Sequence, residues 1–447
     1  MKNSGVEWIG EIPEDWEVKP LTSLFSFGKG LPITKEDLKE NGIPVLSYGQ
    51  IHSKTNTGTN IQNDLLRYVD ESYLVSNPQS LVQRGDFIFA DTSEDLDGCG
   101  NCAYVNFDSK LFAGYHTVIL KSKDCSNNQY LAYLFKTDEW RKQIRAGLVE
   151  VKLYSISRKV LKKASVILPP KSTQQRIASY LDKKCSKIEE TIQKQQQVIE
   201  KLKAYKQSLI TEAVTGKIKI QNGKVCGKYE SYKDSGVEYL GKIPSNWNIK
   251  RLRYIGKCQN GISNGGEFFG SGYPFVSYGD VYNNLTLPET VSGLIESTPE
   301  EQENYSVMAG DIFFTRTSET IEEVGFTSVC LKTIEKATFA GFVIRVRPFT
   351  DELIPDYSKY YFSSDAHRRF FVKEMNLVTR ASLSQDLLKR LPVLIPSKEG
   401  QKSIADYLDK KCTAIDTAIE QKQKLIEKLT EYKKSLIYEC VTGKKEI

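Results

Sequence analysis

The sequence predicts an α+β protein built as a tandem duplication, in which an α/β domain and a long α-helix occur twice. Three observations support this fold class. Short motifs recur at a near-constant offset, apolar heptads mark two long helices, and short apolar runs between turn residues mark strands before each helix. We expect a first domain over 1–170, a helix over 171–217, a linker over 218–234, a second domain over 235–396 and a second helix over 397–447.

The duplication extends along the whole chain, but its two parts differ in similarity. Residues 4–16 match 235–247, and residues 112–114 match 339–341. The helical copies are nearly the same, since 26 of the 44 positions from 174 to 217 recur 227 residues later. The globular parts share only a skeleton of glycines, prolines and apolar runs. One fold that presents two different sets of loops is expected to show this contrast.

Within each globular part, strand composition and turn residues predict three matched strands, followed by a helix and a last strand. The predicted strands are 44–48, 86–90 and 116–120 in the first copy and 274–278, 311–315 and 342–346 in the second. Aromatic residues at three- and four-residue spacing predict helices over 128–145 and 355–375, and the apolar runs 166–170 and 393–396 end the two parts.

The two long helices carry about five heptads each, with a narrow apolar seam typical of coiled coils. We predict that they pair as an antiparallel coiled coil with pseudo-two-fold symmetry. The alternative is an amphipathic helix that packs on its own domain. We interpret Gln195 and Lys422, the polar residues of the d series, as register-setting positions. The predicted seam residues are Leu181, Ile188, Ile192, Gln195, Ile199, Leu202 and Leu209, and Leu408, Ile415, Ile419, Lys422, Ile426, Leu429 and Leu436.

Charge is concentrated in the helices. The net charge of the chain is +6, with +6 in 171–219 and +2 in 397–447, so the remainder is close to −2. Neither domain is broadly basic, and any nucleic-acid surface must be local. The first residues contain no apolar signal region, and no apolar run approaches the roughly 18 residues of a membrane span. With nine mostly isolated cysteines, these features predict a cytoplasmic protein with no membrane association.

Motifs for chemistry are incomplete. Residues 236–242 have phosphate-loop spacing, but Ile243 replaces the required hydroxyl. Cys99 and Cys102 form a lone CxxC pair, and the chain has only three histidines. We therefore predict no catalytic centre, metal site or cofactor on this chain. An enzyme with a dispersed active site remains an alternative.

The repeated motifs point to a family. Ile-Pro-x-x-Trp opens each copy at 12–16 and 243–247, Gln…Ile-Ala…Leu-Asp begins each helix at 174 and 401, and Val-Thr-Gly-Lys ends each at 214–217 and 441–444. In this order, and twice, these motifs resemble the specificity subunit of type I restriction–modification enzymes. The resemblance covers essentially the whole chain.

The resemblance implies a non-catalytic, sequence-specific DNA-recognition subunit. Each globular part would be a target-recognition domain for one half of a bipartite site in double-stranded DNA. The helices would space the domains and dock two adenine methyltransferase subunits, and restriction subunits would complete the complex. S-adenosylmethionine, ATP and Mg²⁺ would then be used by those partners. A stand-alone DNA-binding protein and a coiled-coil scaffold are the alternative functions.

Polar loops beside the matched strands are the candidate base readers, because amides, hydroxyls and basic groups address base edges. Each could equally be an ordinary solvated loop. The candidates are Lys29, Ser53, Lys54, Thr55, Asn56, Asp91, Thr92 and Ser93 in the first domain, and Asn260, Ser263, Asn264, Asn283, Asn284, Arg316, Thr317 and Ser318 in the second. Arg141 and Lys142, and likewise Arg368 and Arg369, lie on predicted helices, where they would hold phosphates or face water.

Overall fold

The structure, a computed structural model, describes residues 1–6, 8–124, 128–148, 153–263, 265–318, 323–374 and 381–447. The chain divides into two compact units. Unit 1 consists of Met1–Gln195 and Lys424–Ile447, and unit 2 consists of Gln196–Gln423. Each unit therefore contains a globular part together with a segment of each long helix.

The globular part of unit 1 is made of short strands and short helices. Its strands are β1 (Lys2–Asn3), β2 (Glu11–Ile12), β3 (Glu17–Pro20), β4 (Phe25–Lys29), β5 (Ile43–Leu46), β6 (Arg67–Val69), β7 (Leu81–Val82), β8 (Phe87–Ala90), β9 (Thr92–Ser93), β10 (Cys102–Tyr104), β11 (Leu111–Ala113), β12 (Thr117–Ser122), β13 (Tyr154–Ser155) and β14 (Ser165–Leu168). Its helices are α1 (Leu21–Leu24), α2 (Tyr48–Ile51), α3 (Tyr73–Ser76), α4 (Gln129–Leu134), α5 (Asp138–Arg145) and α6 (Arg158–Lys163).

The core of unit 1 lies on both faces of an antiparallel sheet with strand order β10-β8-β12-β4. Side chains alternate between the faces of a strand. Phe87 and Phe89 of β8 accordingly pack with the helices, whereas Ile88 and Ala90 pack with residues of the second sheet. That second sheet has the order β6-β5-β11-β7, with β5 and β11 parallel. The predicted strand 86–90 is thus buried on both sides, which explains its continuous apolar run.

Local capping shortened two of the predicted elements. The strand predicted over 44–48 ends at Leu46, because Ser47 caps α2 and its backbone N–H donates to Gln50 Oε1 at 3.2 Å. The helix predicted over 128–145 is two helices, α4 and α5. The hydroxyl of Thr137 accepts the backbone N–H of Trp140 at 3.3 Å and restarts the helix there.

Unit 2 repeats this plan. Its strands are β17 (Tyr232–Asp234), β18 (Lys242–Pro244), β19 (Asn248–Arg251), β20 (Gly256–Asn260), β21 (Phe269–Val276), β22 (Leu294–Ile295), β23 (Ile312–Thr315), β24 (Thr317–Ser318), β25 (Thr327–Val329), β26 (Thr338–Phe339), β27 (Val343–Pro348), β28 (Ala381–Ser382) and β29 (Pro392–Ile395), after a hairpin of β15 (Ile220–Gln221) and β16 (Lys224–Val225). Its helices are α8 (Tyr278–Asn283), α9 (Pro299–Asn304), α10 (Pro355–Ser363), α11 (Asp365–Glu374) and α12 (Gln385–Lys389).

The main sheet of unit 2 is antiparallel with the order β20-β27-β23-β25, and a second sheet has the order β22-β21-β26. Ile312 and Phe314 face the helices, whereas Phe313 faces the second sheet. Here too, the strand predicted through residue 278 ends earlier, since Ser277 caps α8. The helix predicted over 355–375 is divided into α10 and α11, and its last residue lies outside the described residues.

The long helices are α7 (Lys171–Val214) and α13 (Lys398–Val441). Each is followed by a glycine in the left-handed conformation, Gly216 at φ +72° and Gly443 at φ +73°. A Cβ on Gly443 would lie 2.6 Å from Pro13 Cδ in unit 1, and a Cβ on Gly216 would lie 2.4 Å from Pro244 Cδ in unit 2. The Val-Thr-Gly-Lys motif therefore ends against the Ile-Pro-x-x-Trp motif in both units.

The first half of each long helix packs on the globular part that precedes it. Leu181 and Ile188 of α7 belong to the core of unit 1, and Leu408 and Ile415 of α13 belong to the core of unit 2. The alternative prediction, packing on the helix's own domain, thus describes these halves. No helix among the described residues is long and apolar enough to cross a membrane.

Candidate nucleic-acid interface

The candidate readers Asp91 and Arg316 follow strands β8 and β23 and occupy the same backbone framework. In unit 1, the N–H of Asp91 donates to His116 O at 3.0 Å, and its carbonyl accepts from Ile156 N at 2.7 Å. In unit 2, the N–H of Arg316 donates to Phe342 O at 2.9 Å, and its carbonyl accepts from Leu383 N at 2.7 Å. The two positions are therefore structurally equivalent.

Two-residue strands follow these positions and hold the predicted hydroxyl residues. Thr92 and Ser93 pair with Tyr154 and Ser155, and Thr317 and Ser318 pair with residues 381–382. An aromatic side chain at the end of α2 or at the start of α8 contacts each strand. His52 Nε2 lies 2.8 Å from Thr92 O, and the Tyr278 hydroxyl donates to Thr317 O at 2.9 Å.

The hydroxyls of the two serines have protein partners. Ser93 is buried, and its hydroxyl donates to Asp95 O at 2.7 Å. The Ser318 hydroxyl donates to Glu323 Oε2 at 3.1 Å. The threonines are half-buried. Thr92 is therefore more accessible than the buried Ser93, whereas Thr317 and Ser318 are both half-buried.

An open cavity of about 680 Å³ in unit 1 lies beside β9. Tyr48, His52, Thr92, His116 and Leu153 line it, and so do three carboxylates. Those carboxylates, Glu94, Asp95 and Asp97, make the rim acidic. An acidic rim repels backbone phosphates and favours hydrogen-bond donors, such as the exocyclic amino groups of bases.

The loop predicted to read bases at 53–56 contains both a structural side chain and exposed side chains. The Asn56 amide donates to Ile51 O at 2.7 Å and Cys102 O at 3.1 Å, and its Oδ1 accepts from Gly58 N at 2.9 Å. This side chain therefore holds the loop. Ser53 Oγ lies 2.9 Å from Thr55 Oγ1. Lys54 and Thr55 are exposed, and so is Lys29 at the end of β4.

In unit 2, three predicted asparagines serve local structure. Asn283 Nδ2 donates to Gly279 O at 2.9 Å, and Asn284 Nδ2 donates to Asp280 O at 2.8 Å, so both brace the end of α8. Asn260 Oδ1 accepts from Gln385 Nε2 at 3.0 Å. Ser263 is exposed, and Asn264 lies outside the described residues.

The basic residues predicted on helices divide into bracing and exposed side chains. Arg141 Nε donates to Phe135 O at 2.9 Å, and burial lowers the pKa of its guanidinium. Arg368 donates to the carbonyl of Val324, and its guanidinium lies 5.1 Å from the Phe326 ring centre. Lys142 and Arg369 are exposed. Only the exposed pair is positioned to reach phosphates without breaking internal contacts.

The predicted seam residues of both long helices are all buried or half-buried. Two ion pairs join the helix segments, one in each unit. Lys433 pairs with Glu189 in unit 1, and Lys206 pairs with Asp416 at 2.7 Å in unit 2. The hydroxyls of Tyr133 and Tyr360 donate to Asp182 at 2.6 Å and to Asp409 at 2.7 Å, respectively, and tie each helix to its globular part.

The sequence did not identify the aromatic neighbours of the candidate readers. His116 has φ +54° and its ring lies 5.3 Å from that of Tyr48, beside Asp91. Phe342 is 64% exposed beside Arg316. The recurrence of Ser-Tyr-Gly at 47–49 and 277–279 marked part of this region, but only as repeat skeleton.

The lone CxxC pair is buried. Burial raises the pKa of the Cys102 thiol to about 12, which opposes the thiolate form that binds metals. Within the described parts of the chain, no group of three or more histidines, cysteines, aspartates or glutamates could hold a metal ion.

Comparison with known proteins identifies the same family in both copies of the repeat. A family model for the type I restriction modification DNA specificity domain matches residues 13–201 and 244–430. The chain is 22% identical over 452 residues to the type I restriction enzyme EcoKI specificity subunit of Escherichia coli (strain K12), covering 97% of this chain and 90% of that protein. It is 25% identical to the putative MjaX specificity subunit of Methanocaldococcus jannaschii, covering 98% of this chain and 95% of that protein.

Solved structures share the fold. A chain from a study of complex assembly and conformational transition of the type I R-M system covers 97% of this chain, and all of its own length, at 15% identity with a TM-score of 0.72. The HsdS subunit from Thermoanaerobacter tengcongensis, also at 15% identity, covers 97% of this chain and 98% of its own with a TM-score of 0.51. With the family model matching most of the sequence in two copies, this chain belongs to the type I restriction modification DNA specificity family.

Proposed function

We propose that this chain is the DNA-recognition subunit of a type I restriction–modification complex and acts in the cytoplasm without catalytic activity of its own. Each globular part reads one half of a bipartite site in double-stranded DNA. One observation carries the proposal: the same backbone framework occurs in both units with different accessible side chains, as at Asp91 and Arg316. A bipartite site whose halves differ in sequence requires two domains of one fold that present different side chains to the bases.

The experiment is a genome-wide map of modified adenine in cells with and without this chain. We expect a split motif that is methylated only when the chain is present. Unchanged adenine methylation would contradict the proposal. Tight, selective DNA binding by the purified chain without partners would instead favour a stand-alone DNA-binding protein, and copurifying proteins without any DNA selectivity would favour a scaffold.

The long helices space the two readers, and we propose that they pair antiparallel with pseudo-two-fold symmetry. In unit 1, Glu189 of α7 pairs with Lys433 of α13, and in unit 2, Lys206 pairs with Asp416. Position 189 of α7 thus pairs with position 433 of α13, whereas the later position 206 pairs with the earlier position 416. This relation supports opposite helix directions.

Cysteine cross-linking tests the direction of the helices. Under oxidation, Glu189→Cys with Lys433→Cys is expected to form a disulfide that mass spectrometry identifies between the two peptides. The matched control is Glu189→Cys with Asp416→Cys, because positions 189 and 416 are equivalent and would meet in a parallel, in-register pair. Cross-linking of the control pair alone would exclude the antiparallel arrangement.

The helices also present a surface stripe that recurs in both copies, and we propose that it docks two methyltransferase subunits. The stripe is Val198, Lys201, Tyr205, Ser208 and Glu212 on α7, and Leu425, Lys428, Tyr432, Ser435 and Glu439 on α13. Three- and four-residue spacing places each set on one helix face. Tyr205 is 55% exposed and Tyr432 is 52% exposed, so internal packing does not account for these rings.

Several neighbouring exposed positions have diverged, although Glu200 and Glu427 beside the stripe are identical. Lys203 and Ala204 of α7 correspond to Thr430 and Glu431 of α13. A stripe that keeps four of its five residues in both copies, beside positions that changed, fits one kind of partner bound twice. S-adenosylmethionine would act in that partner, and ATP and Mg²⁺ in the restriction subunits.

Subunit stoichiometry tests this docking surface. Tyr205→Ala or Tyr432→Ala alone is expected to leave one methyltransferase per chain in place of two, since loss of a buried interface tyrosine weakens binding by about 2 kcal/mol or roughly 30-fold. Ala204→Lys is the matched control on the adjacent face and should retain two. Two bound subunits in the double tyrosine variant would contradict the assignment.

A further inference from the structure

The equivalent positions 91 and 316 carry opposite charges. Each follows the last residue of a central strand, where Ala90 pairs with Thr117 and Thr315 pairs with Val343. The four backbone hydrogen bonds at the two positions agree to within 0.1 Å, at 3.0 and 2.7 Å in unit 1 and 2.9 and 2.7 Å in unit 2. The backbone there is thus the same, and only the side-chain chemistry differs.

Both side chains are partly exposed, with the Oδ1 atom of Asp91 on the buried side. Asp91 is 34% exposed, and its Oδ1 lies 3.3 Å from Nδ1 of His116, whose side chain is 57% exposed. Arg316 is half-buried next to the exposed ring of Phe342, and its Nη1 is 3.5 Å from Gly341 O, at the limit of a hydrogen bond. His116 is held at φ +54°, a conformation that costs a non-glycine residue energy. Neither charge is a core ion pair that folding would require.

We propose that residues 91 and 316 are the positions that make the two half-sites different, an inference that rests on the proposed function. Arg316 reads a guanine in the half-site of unit 2, because a guanidinium donates two hydrogen bonds to guanine O6 and N7. Asp91 reads a base that presents an exocyclic amino group, cytosine N4 or adenine N6, in the half-site of unit 1.

The surroundings of each position fit its assigned base. The cavity lined by Thr92 and His116, the neighbours of Asp91, is also bordered by Glu94, Asp95 and Asp97, so this region attracts hydrogen-bond donors. Arginine at this place would be neutralised by those carboxylates, whereas a carboxylate adds to the same potential. In unit 2, the guanidinium of Arg316 contacts the carbonyl oxygen of Gly341, and among the described residues it forms no ion pair with a carboxylate.

The test is the methylated motif in cells that carry the complete system with wild-type or variant chains. Arg316→Gln is expected to change one guanine of the motif to adenine, because a glutamine amide pairs with adenine N6 and N7. Arg316→Ala should reduce the preference for that guanine by about 10- to 100-fold, as expected for loss of one bidentate contact. Both changes should be confined to one half of the motif.

The unit 1 variants separate the two possible bases. Asp91→Ala should reduce base selectivity at one position of the half-site that unit 1 reads. Asp91→Asn should select adenine there, which replaces cytosine if the wild type reads cytosine and keeps the motif if it reads adenine. Lys142→Ala and Arg369→Ala, exposed cations outside the framework, are the controls and should lower methylation without changing either half-site.

The outcomes distinguish failure of this inference from failure of the proposed function on which it rests. A wild-type chain that gives no bipartite motif overturns the proposed function. A normal wild-type motif that stays unchanged in both Arg316 variants, with the protein folded and methylation retained, overturns only the assignment of position 316. The same result for Asp91→Ala overturns the assignment of position 91.

Discussion

The hydroxyl of Tyr130 donates a 2.8 Å hydrogen bond to the carbonyl oxygen of Val441, 311 residues further along the chain. In unit 2, the hydroxyl of Tyr357 donates at 3.3 Å to Val214, 143 residues earlier. Val214 and Val441 are the last residues of the two long helices. In each unit, the globular part therefore also anchors the end of the long helix that does not directly follow it.

Loss of the Tyr130 hydroxyl should destabilise unit 1. The hydroxyl also donates to Ile167 O at 3.2 Å, and the side chain is 1% exposed, so Tyr130→Phe leaves two buried carbonyls without this donor. We expect a loss of about 1–2 kcal/mol in the free energy of unfolding. Chemical denaturation followed by circular dichroism measures it. Tyr205→Phe, at an exposed position, is the control, and equal midpoints for the two variants would refute the anchoring role.

The glycine after α13 should not tolerate a side chain. Gly443→Ala combines a left-handed backbone, which costs an alanine roughly 1 kcal/mol, with a contact of 2.6 Å to Pro13. We expect the melting temperature to fall by several degrees. Gly266→Ala is the control, because nothing lies within 4 Å of its added Cβ. A Gly443→Ala variant as stable as this control would show that the two motifs do not depend on each other.

Acid should destabilise unit 2 through His367. Burial among Phe314, Phe362 and Phe371 lowers the pKa of its imidazole to about 3, so the folded state holds it neutral. The unfolded state, with a pKa near 6.5, binds a proton first as pH falls. Stability contributed by the neutral ring is therefore complete above pH 6.5 and is lost between about pH 6.5 and 3, with roughly 1–2 kcal/mol lost at pH 5.5.

The variant His367→Phe isolates this contribution. Urea denaturation at pH 7.5 and 5.5 should show a smaller difference between the two pH values for the variant than for the wild type, whatever its absolute stability. Identical pH differences would mean that His367 is protonated in the folded protein.

Thiol reactivity should be uneven along the chain. Among the cysteines that the structure describes, Cys226 is exposed and the others are buried. Burial also raises the pKa of Cys258, Cys330 and Cys440 to about 11, which lowers their thiolate fraction at neutral pH. Alkylation of the native protein, followed by peptide mass spectrometry, should label Cys226 before these three. Equal labelling before unfolding would contradict the described burial.

Much of the fold could be predicted because its signals are local. Heptads marked both long helices, and alternating or continuous apolar runs marked β8, β12, β23 and β27 to within one or two residues. The errors arose where one side chain changed the local outcome. Thr137 restarted a helix that apolar spacing alone predicted as continuous, and Ser47 ended a strand.

The candidate site was less predictable. Arg316, Thr317 and Ser318 lie together because they are consecutive, and Lys54, Lys142 and Arg369 are exposed. Asn56, Asn283 and Asn284 instead hydrogen-bond to nearby backbone, a use that composition does not distinguish from base reading. Whether any of these side chains contacts DNA stays a prediction.

The sequence by itself determined the duplication, the two long helices and the unequal divergence of helix and domain, since each depends on periodicity or on comparing the chain with itself. Only the tertiary structure decided that the carbonyl of Val441 accepts a hydrogen bond from Tyr130 and that Gly443 lies against Pro13. It also decided that Asp91 and Arg316 share one backbone framework. The physical reason is that an apolar pattern specifies which residues leave water but not which distant surface receives them. That choice is made by packing and hydrogen bonds between segments that are hundreds of residues apart.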